Sequence, residues 1–436
     1  MTPEGVLCYM QSMKTSKLPR RQLEQLQARK LRDALRYAYA NLPAFNETLR
    51  RIGFHPEDLK RVEDVRRLPM SSKADIMKRR QDALAAGRTR GVKLVSTSGT
   101  TGQSAVLVRT TERTSVNVAL NIRSLLQIGL RPWSRVATLW APARYWKTLT
   151  KDGETKPLTG LDYVPVRFFG RTLPNILTIW VDPNDPARDG RTIADFRPDF
   201  VYSRPSHLRR IARYCGAEHG IEPKVIVMAG EIMSKTAFDE LHASYGAKIV
   251  RNYGSAEMGK LGADCLYERG IHTWEDYKLY EVLKDGEPVA PGEVGELVVS
   301  DLFRDTFPIF RYRTGDFVRL GGYDRCECGS CTMRLSSIEG RENDCVIGED
   351  GERFLATEVS DRLESEFGLR DFQLVQNSLN EFTLLLRADD IERRKEVSGV
   401  KEYLEEIAGS PVNLEVRPRS DDDYWVKTRP VVCRVK

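Results

Sequence analysis

Two short segments of the 436-residue chain combine residue types that can bind a nucleotide and its metal ion. In 96–103 (STSGTTGQ), just after the apolar run that ends at Val95, hydroxyls, backbone amides and glycines form a natural cradle for phosphate oxygens. That segment lacks the Gly-Lys-Ser/Thr end of a Walker loop, and by itself it is more often an ordinary turn. In 251–257 (RNYGSAE), the Tyr253 ring, the small Gly254 and the Glu257 carboxylate could stack on a base and hold Mg²⁺ beside a phosphate.

Two later segments add a carboxylate and a cation. Asp316, in 310–316 (FRYRTGD), could accept two hydrogen bonds from ribose hydroxyls; alternatively it is a solvated residue at the end of a strand. Arg341, in the turn 340–344 (GREND), is suited to a phosphate or a carboxylate. Each of these signals is weak by itself.

A separate group of residues has the types that bind zinc. Three thiols lie within 326–331 (CECGSC), and Cys265 and His272 lie close together earlier in the chain. Structural zinc takes four nitrogen or sulfur ligands, so the Cys–His pair and a downstream Cys-x-Cys would complete one site. Cys331 could replace one ligand, and the alternative is a set of unrelated buried cysteines with a satisfied histidine. The other cysteines are isolated and are interpreted as core thiols: Cys8, Cys215, Cys345 and Cys433.

The composition is that of a large globular protein, with 41% apolar and 30% charged residues. The net charge of +6 is mild and dispersed, which argues against nucleic-acid binding. No apolar run approaches the length of a membrane span, and the first 30 residues are too charged for a signal-peptide core. We therefore expect a cytoplasmic multidomain protein in which eight cysteines are not a disulfide framework.

Hydrophobic periodicity predicts the elements that position these residues. Residues 22–40 have the spacing of an amphipathic helix, and 68–75 is predicted to be a loop followed by a helix capped at Ser71 or Ser72. Period-two alternation over 278–320 predicts antiparallel strands. Short apolar runs that alternate with helical patterns predict an α/β domain with a mostly parallel sheet: 92–95, 136–140, 200–203, 225–228 and 248–251.

In their order and separation, the motifs resemble those of the adenylate-forming superfamily of acyl-CoA synthetases, most closely its phenylacetate-CoA ligase-like branch. The resemblance covers nearly the whole chain and includes 39–45, 68–73, 204–206 and 229–231. It implies an α/β fold in which residues 1–342 form a large N-terminal adenylation domain with mixed sheets and the ATP, acid and zinc sites. A hinge at Asn343 would join it to a small, mobile α+β domain, residues 343–436, with a helix near 358–367 and a strand near 381–387.

The resemblance also implies roles for individual residues. Glu257 would bind Mg²⁺, Asp316 would hold the ribose and Arg341 would lie near the nucleotide at the domain junction. In this branch many members carry a zinc site, which favours Cys265, His272, Cys326 and Cys328 as its ligands. The other ATP contacts would be Ser98, Gly99, Thr100, Thr101 and Gly102 at the phosphates, and Gly230, Glu231, Asn252, Tyr253, Gly254 and Ser255 around the rest of the nucleotide.

The implied reaction is in-line attack of a carboxylate on the α-phosphorus of ATP, which gives an acyl-adenylate and pyrophosphate. The acyl group then passes to a thiol, usually coenzyme A. Catalysis of this kind depends on positioning and charge neutralisation, which matches the hydroxyls, amides, carboxylates and cations of the motifs. We expect an aromatic acid, a biosynthetic role, and a monomer or homodimer without nucleic-acid or membrane partners.

The chain departs from the family at its C-terminal end and in its acid pocket. Members carry a lysine that bridges the substrate carboxylate and the α-phosphate, but the matching position is Val431. Either adenylation is slow or lost, or another cation substitutes; the candidates are Lys427, which we favour, Arg429 and Lys436. Trp140, Tyr145 and Trp146 could line a flat aromatic pocket, although two of them could simply pack in the core.

These departures leave two alternatives to a CoA ligase. One is an acyl-adenylate former that passes its product to an amine, a hydroxyl or a carrier protein. The other is a catalytically silent nucleotide-binding homologue that acts as a partner protein. Glu257 and Asp316 argue against the silent homologue, whereas Val431 argues for it.

Overall fold

The computed structural model describes residues 14–85, 92–96, 106–140, 147–149, 155–157, 176–180, 185–216, 219–386, 395–419 and 429–435. The chain divides into two compact units. The first comprises 1–130, 148–156 and 252–337, and the second comprises 131–147, 157–251 and 338–436. Within the described residues, no helix is both long enough and apolar enough to cross a membrane.

The helices in chain order are α1 (Arg20–Asn41), α2 (Pro43–Arg51), α3 (Lys73–Ala85), α4 (Thr111–Gln127), α5 (Pro186–Phe196), α6 (Pro205–Cys215), α7 (Lys235–Tyr245), α8 (Ala356–Ser365) and α9 (Lys395–Ala408). The strands up to the middle of the chain are β1 (Val92–Ser96), β2 (Val106–Thr110), β3 (Val136–Trp140), β4 (Lys147–Leu149), β5 (Thr155–Pro157), β6 (Ile176–Trp180), β7 (Phe200–Ser203), β8 (Val225–Ala229), β9 (Lys248–Ser255), β10 (Gly259–Asp264) and β11 (Ile271–Thr273).

The later strands are β12 (Lys278–Lys284), β13 (Glu287–Pro288), β14 (Val294–Asp301), β15 (Tyr312–Gly322), β16 (Arg334–Arg341), β17 (Cys345–Ile347), β18 (Arg353–Leu355), β19 (Gln373–Ser378), β20 (Glu381–Leu386), β21 (Asn413–Pro418) and β22 (Val431–Cys433).

In the first unit, helices pack on an antiparallel sheet. The α1 face predicted from spacing is buried at Leu23, Leu31 and Leu35, and α3 begins after Ser72, whose hydroxyl accepts a hydrogen bond from the Asp75 amide at 3.2 Å. Residues 278–320 form antiparallel strands as predicted, with β14 paired to both β12 and β15. The second half of β9 pairs with β10, and β10 pairs with β11.

One predicted strand has a different partner. The run 92–95 was assigned to the parallel sheet, but β1 pairs antiparallel with β2, with Val92 opposite Thr110. The physical reason is the short connection, residues 97–105, because a parallel crossover needs a dozen residues or more. The parallel assignment of β1 is therefore wrong.

The second unit contains the parallel sheet and the C-terminal segment. β3 pairs in parallel with β6 and β7, and β7 pairs in parallel with β8. Apolar side chains of β3, β7 and β8 form one core with α5, α6 and α7. The C-terminal segment has a separate four-stranded sheet of order β21-β20-β19-β22 and its own core with α8 and α9. The α/β prediction is confirmed.

Candidate functional site

The turn that carries Glu257 joins β9 to β10 and is tightly held. The Ser255 hydroxyl accepts a hydrogen bond from the Met258 amide at 3.1 Å. Gly259 has a φ of +73°, and a Cβ there would overlap the side-chain amide of Asn117 on α4. That Asn117 side chain accepts a hydrogen bond from the Lys260 amide at 3.0 Å. The turn is therefore fixed by its own backbone and by a neighbouring helix.

Glu257 itself is buried and pairs with Lys73 at the start of α3. Its Oε1 lies 2.9 Å from the Lys73 Nζ, and the Lys73 side chain is half exposed. The ion pair joins the 68–73 motif to the 251–257 motif. Sequence reasoning named Glu257 but not its lysine partner.

Asp316 and Tyr253 form a second contact between motifs. The Tyr253 hydroxyl donates a hydrogen bond to Asp316 Oδ2 at 2.5 Å, and both residues are buried. The Asp316 amide donates to the Thr314 hydroxyl at 3.1 Å, which fixes the backbone at the carboxylate. A carboxylate oriented in this way can accept hydrogen bonds from vicinal hydroxyls.

Lys260, one residue into β10, was not identified from the sequence. Its ammonium donates to the side-chain oxygen of Asn252. Desolvation by burial lowers the pKa of Lys260 to about 7, and no described carboxylate forms an ion pair with it. The β9–β10 pairing, which places Lys260 opposite Gly254, is the only signal that could have linked this lysine to the motif.

In the second unit, Gly230 and Glu231 lie at the end of β8, and Gly230 has a φ of +91°. Glu231 Oε2 accepts a hydrogen bond from the Ser206 amide at 3.2 Å, at the start of α6. Glu231 and Ser206 also line a cavity of 510 Å³. The 204–206 and 229–231 motifs are thus brought together.

Arg341 ends β16, and Asn343 follows it in a turn. The Asn343 carbonyl accepts hydrogen bonds from the Cys433 amide at 3.0 Å and from Arg429 Nη2 at 2.9 Å. Only the backbone of Trp140, at the end of β3, is described. Other predicted residues lie outside the described ranges: Ser98, Gly99, Thr100, Thr101, Gly102, Tyr145, Trp146, Lys427 and Lys436.

The four cysteine and histidine residues predicted as metal ligands converge in the first unit. The ligand atoms of Cys265, His272, Cys326 and Cys328 all lie within 4.8 Å of one another. Cys265 follows β10, His272 lies in β11, and the other two lie between β15 and β16. Backbone hydrogen bonds close that last loop, from Gly329 to Cys326 at 2.8 Å and from Cys326 to Ser330 at 2.9 Å.

The distances fit a tetrahedral metal. The Cys265 and Cys326 sulfurs are 3.7 Å apart, and the Cys328 sulfur is 3.6 Å from His272 Nε2. With zinc–sulfur bonds of about 2.3 Å and a zinc–nitrogen bond of about 2.0 Å, the corresponding tetrahedral edges are about 3.8 Å and about 3.5 Å. Three buried or half-buried thiols and an imidazole nitrogen directed at them are therefore arranged to hold a metal ion.

The chain is similar to known ligases. Over 341 residues it is 29% identical to the phenylacetate-coenzyme A ligase of Thermus thermophilus, which covers 76% of this chain and 73% of that enzyme. The corresponding Escherichia coli ligase is 27% identical over 339 residues, covering 75% and 72%. No protein-family model matches the chain.

A solved structure of 2-hydroxyisobutyryl-CoA ligase in the postadenylation state matches 96% of this chain and 91% of that one. Its TM-score is 0.73 and its sequence identity is 19%, so this match bears on the fold. The resemblance inferred from the motifs is confirmed by these relatives, and the predicted fold is confirmed by the structural match.

Proposed function

Because the chain is homologous to the phenylacetate-coenzyme A ligases and has the fold of an acyl-CoA ligase, we propose that it activates a carboxylic acid with ATP. The products of this step are an acyl-adenylate and pyrophosphate, and coenzyme A then accepts the acyl group. The proposed acid is aromatic. The observation that carries the proposal is the hydrogen bond between Tyr253 and Asp316, because it joins two nucleotide motifs that are distant in sequence.

Asp316 is proposed to bind the ribose. The Tyr253 hydroxyl donates to one carboxylate oxygen and thereby orients the group, and an ionised carboxylate is an acceptor that suits the two ribose hydroxyls. Asn252, Gly254 and Ser255 belong to the same strand end and are proposed to contact the nucleotide. Gly230 and Glu231 are likewise proposed as ATP contacts.

Glu257 is proposed to hold Mg²⁺, because a carboxylate oxygen is the ligand type that this ion prefers. When bound, Mg²⁺ neutralises charge on the phosphates. The Lys73 ammonium already contacts Glu257, so it must share that carboxylate or turn toward a phosphate itself. Either arrangement keeps positive charge beside the reacting phosphate.

The C-terminal domain, residues 343–436, is proposed to move about Asn343 and to supply a catalytic cation. A cationic side chain at position 431 would destabilise the C-terminal segment, because the Val431 side chain is wholly buried in the core of that segment. The Arg429 Nε donates a hydrogen bond to Asp344 Oδ1 at 2.6 Å, so the Arg429 guanidinium is already paired with a carboxylate. These contacts favour Lys427 as the catalytic lysine, with Arg341 near the nucleotide.

The Lys427 proposal predicts opposite effects for two substitutions. Lys427→Ala should slow acyl-adenylate formation about 100-fold while leaving the thermal unfolding temperature unchanged. Val431→Lys should destabilise the protein by about 3 kcal/mol or more, because it buries an unpaired charge. Pre-steady-state adenylation and thermal unfolding of both variants test this; normal stability with faster adenylation in Val431→Lys would reject it.

The metal held by Cys265, His272, Cys326 and Cys328 is proposed to be a structural zinc ion. All four positions are taken by protein ligands, which is the pattern of structural rather than catalytic zinc. The ion would link β10 and β11 to the loop after β15. Because β10 pairs with β9 and β15 carries Asp316, the site would support both nucleotide motifs.

The experiment for the overall proposal is carboxylate-dependent ATP–pyrophosphate exchange over a panel of aromatic and aliphatic acids. We expect exchange with an aromatic acid and, with coenzyme A present, loss of free thiol. Exchange without thiol consumption would favour an amine, hydroxyl or carrier-protein acceptor instead. Absence of exchange with every acid, with nucleotide still bound, would favour the catalytically silent homologue. A cytoplasmic location is part of the proposal.

A further inference from the structure

A buried arginine in the first unit joins the loop before α3 to the start of β15. Arg311, the residue before β15, is 5% exposed. Its Nε and Nη2 donate hydrogen bonds to the two carboxylate oxygens of Glu281 on β12, both at 3.1 Å. Its Nη1 donates to the carbonyl oxygens of Arg66, at 3.0 Å, and of Leu68, at 2.8 Å. One guanidinium thus links a strand of the sheet to two carbonyl groups of the loop.

The backbone around Arg311 holds the same loop. The Ser71 amide donates a hydrogen bond to the Arg311 carbonyl at 2.7 Å, and the Arg313 amide donates to the Ser71 carbonyl at 3.0 Å. The Ser71 hydroxyl donates to the Phe310 carbonyl at 3.0 Å. Arg311 has a φ of +43°, which a residue with a side chain keeps only where its surroundings fix the backbone. These hydrogen bonds fix it.

The loop leads directly to Lys73, the second residue after Ser71 and the first of α3. The Lys73 Nζ lies 2.9 Å from Glu257 Oε1, although the Lys73 side chain is half exposed. A half-exposed lysine gains little from an ion pair, so the pair depends on a backbone that brings the two side chains within reach. We propose that Arg311 is a positioning residue, which holds the loop 66–71 on β15 and thereby places Lys73 beside Glu257.

The alternative is that Arg311 only stabilises the fold. Arg311→Lys separates the two roles, because a lysine keeps the charge but has a single ammonium in place of the planar guanidinium. That ammonium cannot bind the Glu281 carboxylate and both loop carbonyls with the same geometry. The placement of Lys73 is a statement about the structure, whereas its consequence for Mg²⁺ and ATP rests on the proposed function.

The first test measures the reactivity of the Lys73 amine in the full-length protein. Wild-type protein and the Arg311→Lys variant are acetylated under native conditions, and mass spectrometry gives the ratio of label on Lys73 to label on Lys78. Lys78 is an exposed lysine on the same helix and serves as the internal reference. We expect the ratio to rise about 2- to 5-fold in Arg311→Lys, because a half-exposed ion pair protects the amine by about that factor.

Arg123→Lys is the control for a general loss of stability. Arg123 is also a buried arginine of the first unit, and it pairs with Asp276. This variant should lower the thermal unfolding temperature and leave the labelling ratio unchanged. An unchanged ratio in Arg311→Lys, or an equal rise in Arg123→Lys, overturns the proposal. If Arg311→Lys does not fold, Glu281→Gln replaces it, because it removes the charge that orients the guanidinium; an unchanged ratio there has the same meaning.

The second test is a double-mutant cycle on activity. Arg311→Lys should change the Mg²⁺ requirement or the KM for ATP in the same direction as Lys73→Met, and the double variant should show no further change. Additive effects, or unchanged constants in Lys73→Met, would overturn the claim that Arg311 acts on the reaction through Lys73. Labelling requires no acid, ATP or turnover. A raised labelling ratio in a protein whose wild type lacks exchange activity would therefore reject the proposed function and keep the placement of Lys73.

Discussion

The cysteine–histidine cluster and the motifs that carry Glu257 and Asp316 belong to the same compact unit but are constructed differently. In the cluster, four ligand atoms converge on one point, and the loop around them is closed by backbone hydrogen bonds. In those motifs, three side-chain pairs are already formed within the protein: Lys73 with Glu257, Tyr253 with Asp316, and Lys260 with Asn252. If the cluster holds an ion and the motifs bind a nucleotide as proposed, the ion would be permanent, whereas the nucleotide residues would have to share or exchange partners when substrate binds.

The largest effect is expected from breaking the cluster. Cys326→Ser should remove about one equivalent of zinc and lower the free energy of unfolding by about 3 kcal/mol or more, because the ion joins two separate loops. Zinc content and urea unfolding measure both changes. Cys331→Ser is the matched control, since Cys331 lies in the same loop but outside the group of four ligands. Equal zinc content in the two variants would contradict the ligand assignment.

The second prediction concerns the role of Asp316 in binding the ribose of ATP. Asp316→Ala should lower kcat/KM for ATP by about 10- to 100-fold, because two hydrogen bonds to a charged acceptor are lost and the Tyr253 hydroxyl is left without its partner. Asp316→Asn, which keeps the shape of the side chain, should lose less. Initial rates over a range of ATP concentrations measure the effect. If both variants had normal kinetics, Asp316 would be structural like the cluster.

A substitution of Lys73 tests whether Glu257 exchanges its lysine partner for Mg²⁺. If Lys73 competes with Mg²⁺ for Glu257, Lys73→Met should lower the Mg²⁺ concentration needed for half-maximal activity, by about 2- to 5-fold because a half-exposed ion pair is weak. Lys78→Met, an exposed lysine on the same helix, is the control. An unchanged Mg²⁺ requirement with a raised KM for ATP would assign Lys73 to the phosphates instead.

The last prediction concerns the dependence of folding stability on pH. The pKa of Lys260 is lowered to about 7 in the folded protein, so between that pH and the ordinary lysine pKa only the unfolded chain carries the proton. The contribution of Lys260 therefore makes folding stability rise with pH from about 7 to 10. Lys260→Met should lose this slope, whereas Lys248→Met, an exposed lysine on β9, should retain it. Urea unfolding at pH 7 and pH 9 measures the slopes; equal slopes in all three proteins would contradict the prediction.

Local patterns predicted much of this molecule. Periodicity located α1, and a helix cap at Ser71 or Ser72 was predicted from residue type; the structure has it at Ser72. Both features depend on neighbours within one or two turns. The convergence of Cys265, His272, Cys326 and Cys328 could be predicted because these residues occur as two close pairs in the sequence. The predicted pairing of β1 was wrong because strand pairing depends on the length of the connection as well as on the apolar run.

Other parts of the site depend on how helices pack and how strands pair, which a single sequence does not reveal. Lys73 reaches Glu257 only because α3 packs near the β9–β10 turn, and Lys260 reaches Asn252 only through the pairing of those strands. The sequence analysis missed these contacts because they depend on which helices and strands pack together in the fold.

The packing of Gly259 against Asn117 also constrains how this sequence can vary. A side chain at position 259 would require both a backbone change, because φ is positive, and a smaller residue than asparagine at position 117. Asn117 in turn caps the Lys260 amide, so a smaller residue there leaves that donor unsatisfied. Among homologues, the two positions are therefore expected to change together or not at all, and α4 and the turn that carries Glu257 are expected to be inherited as one block.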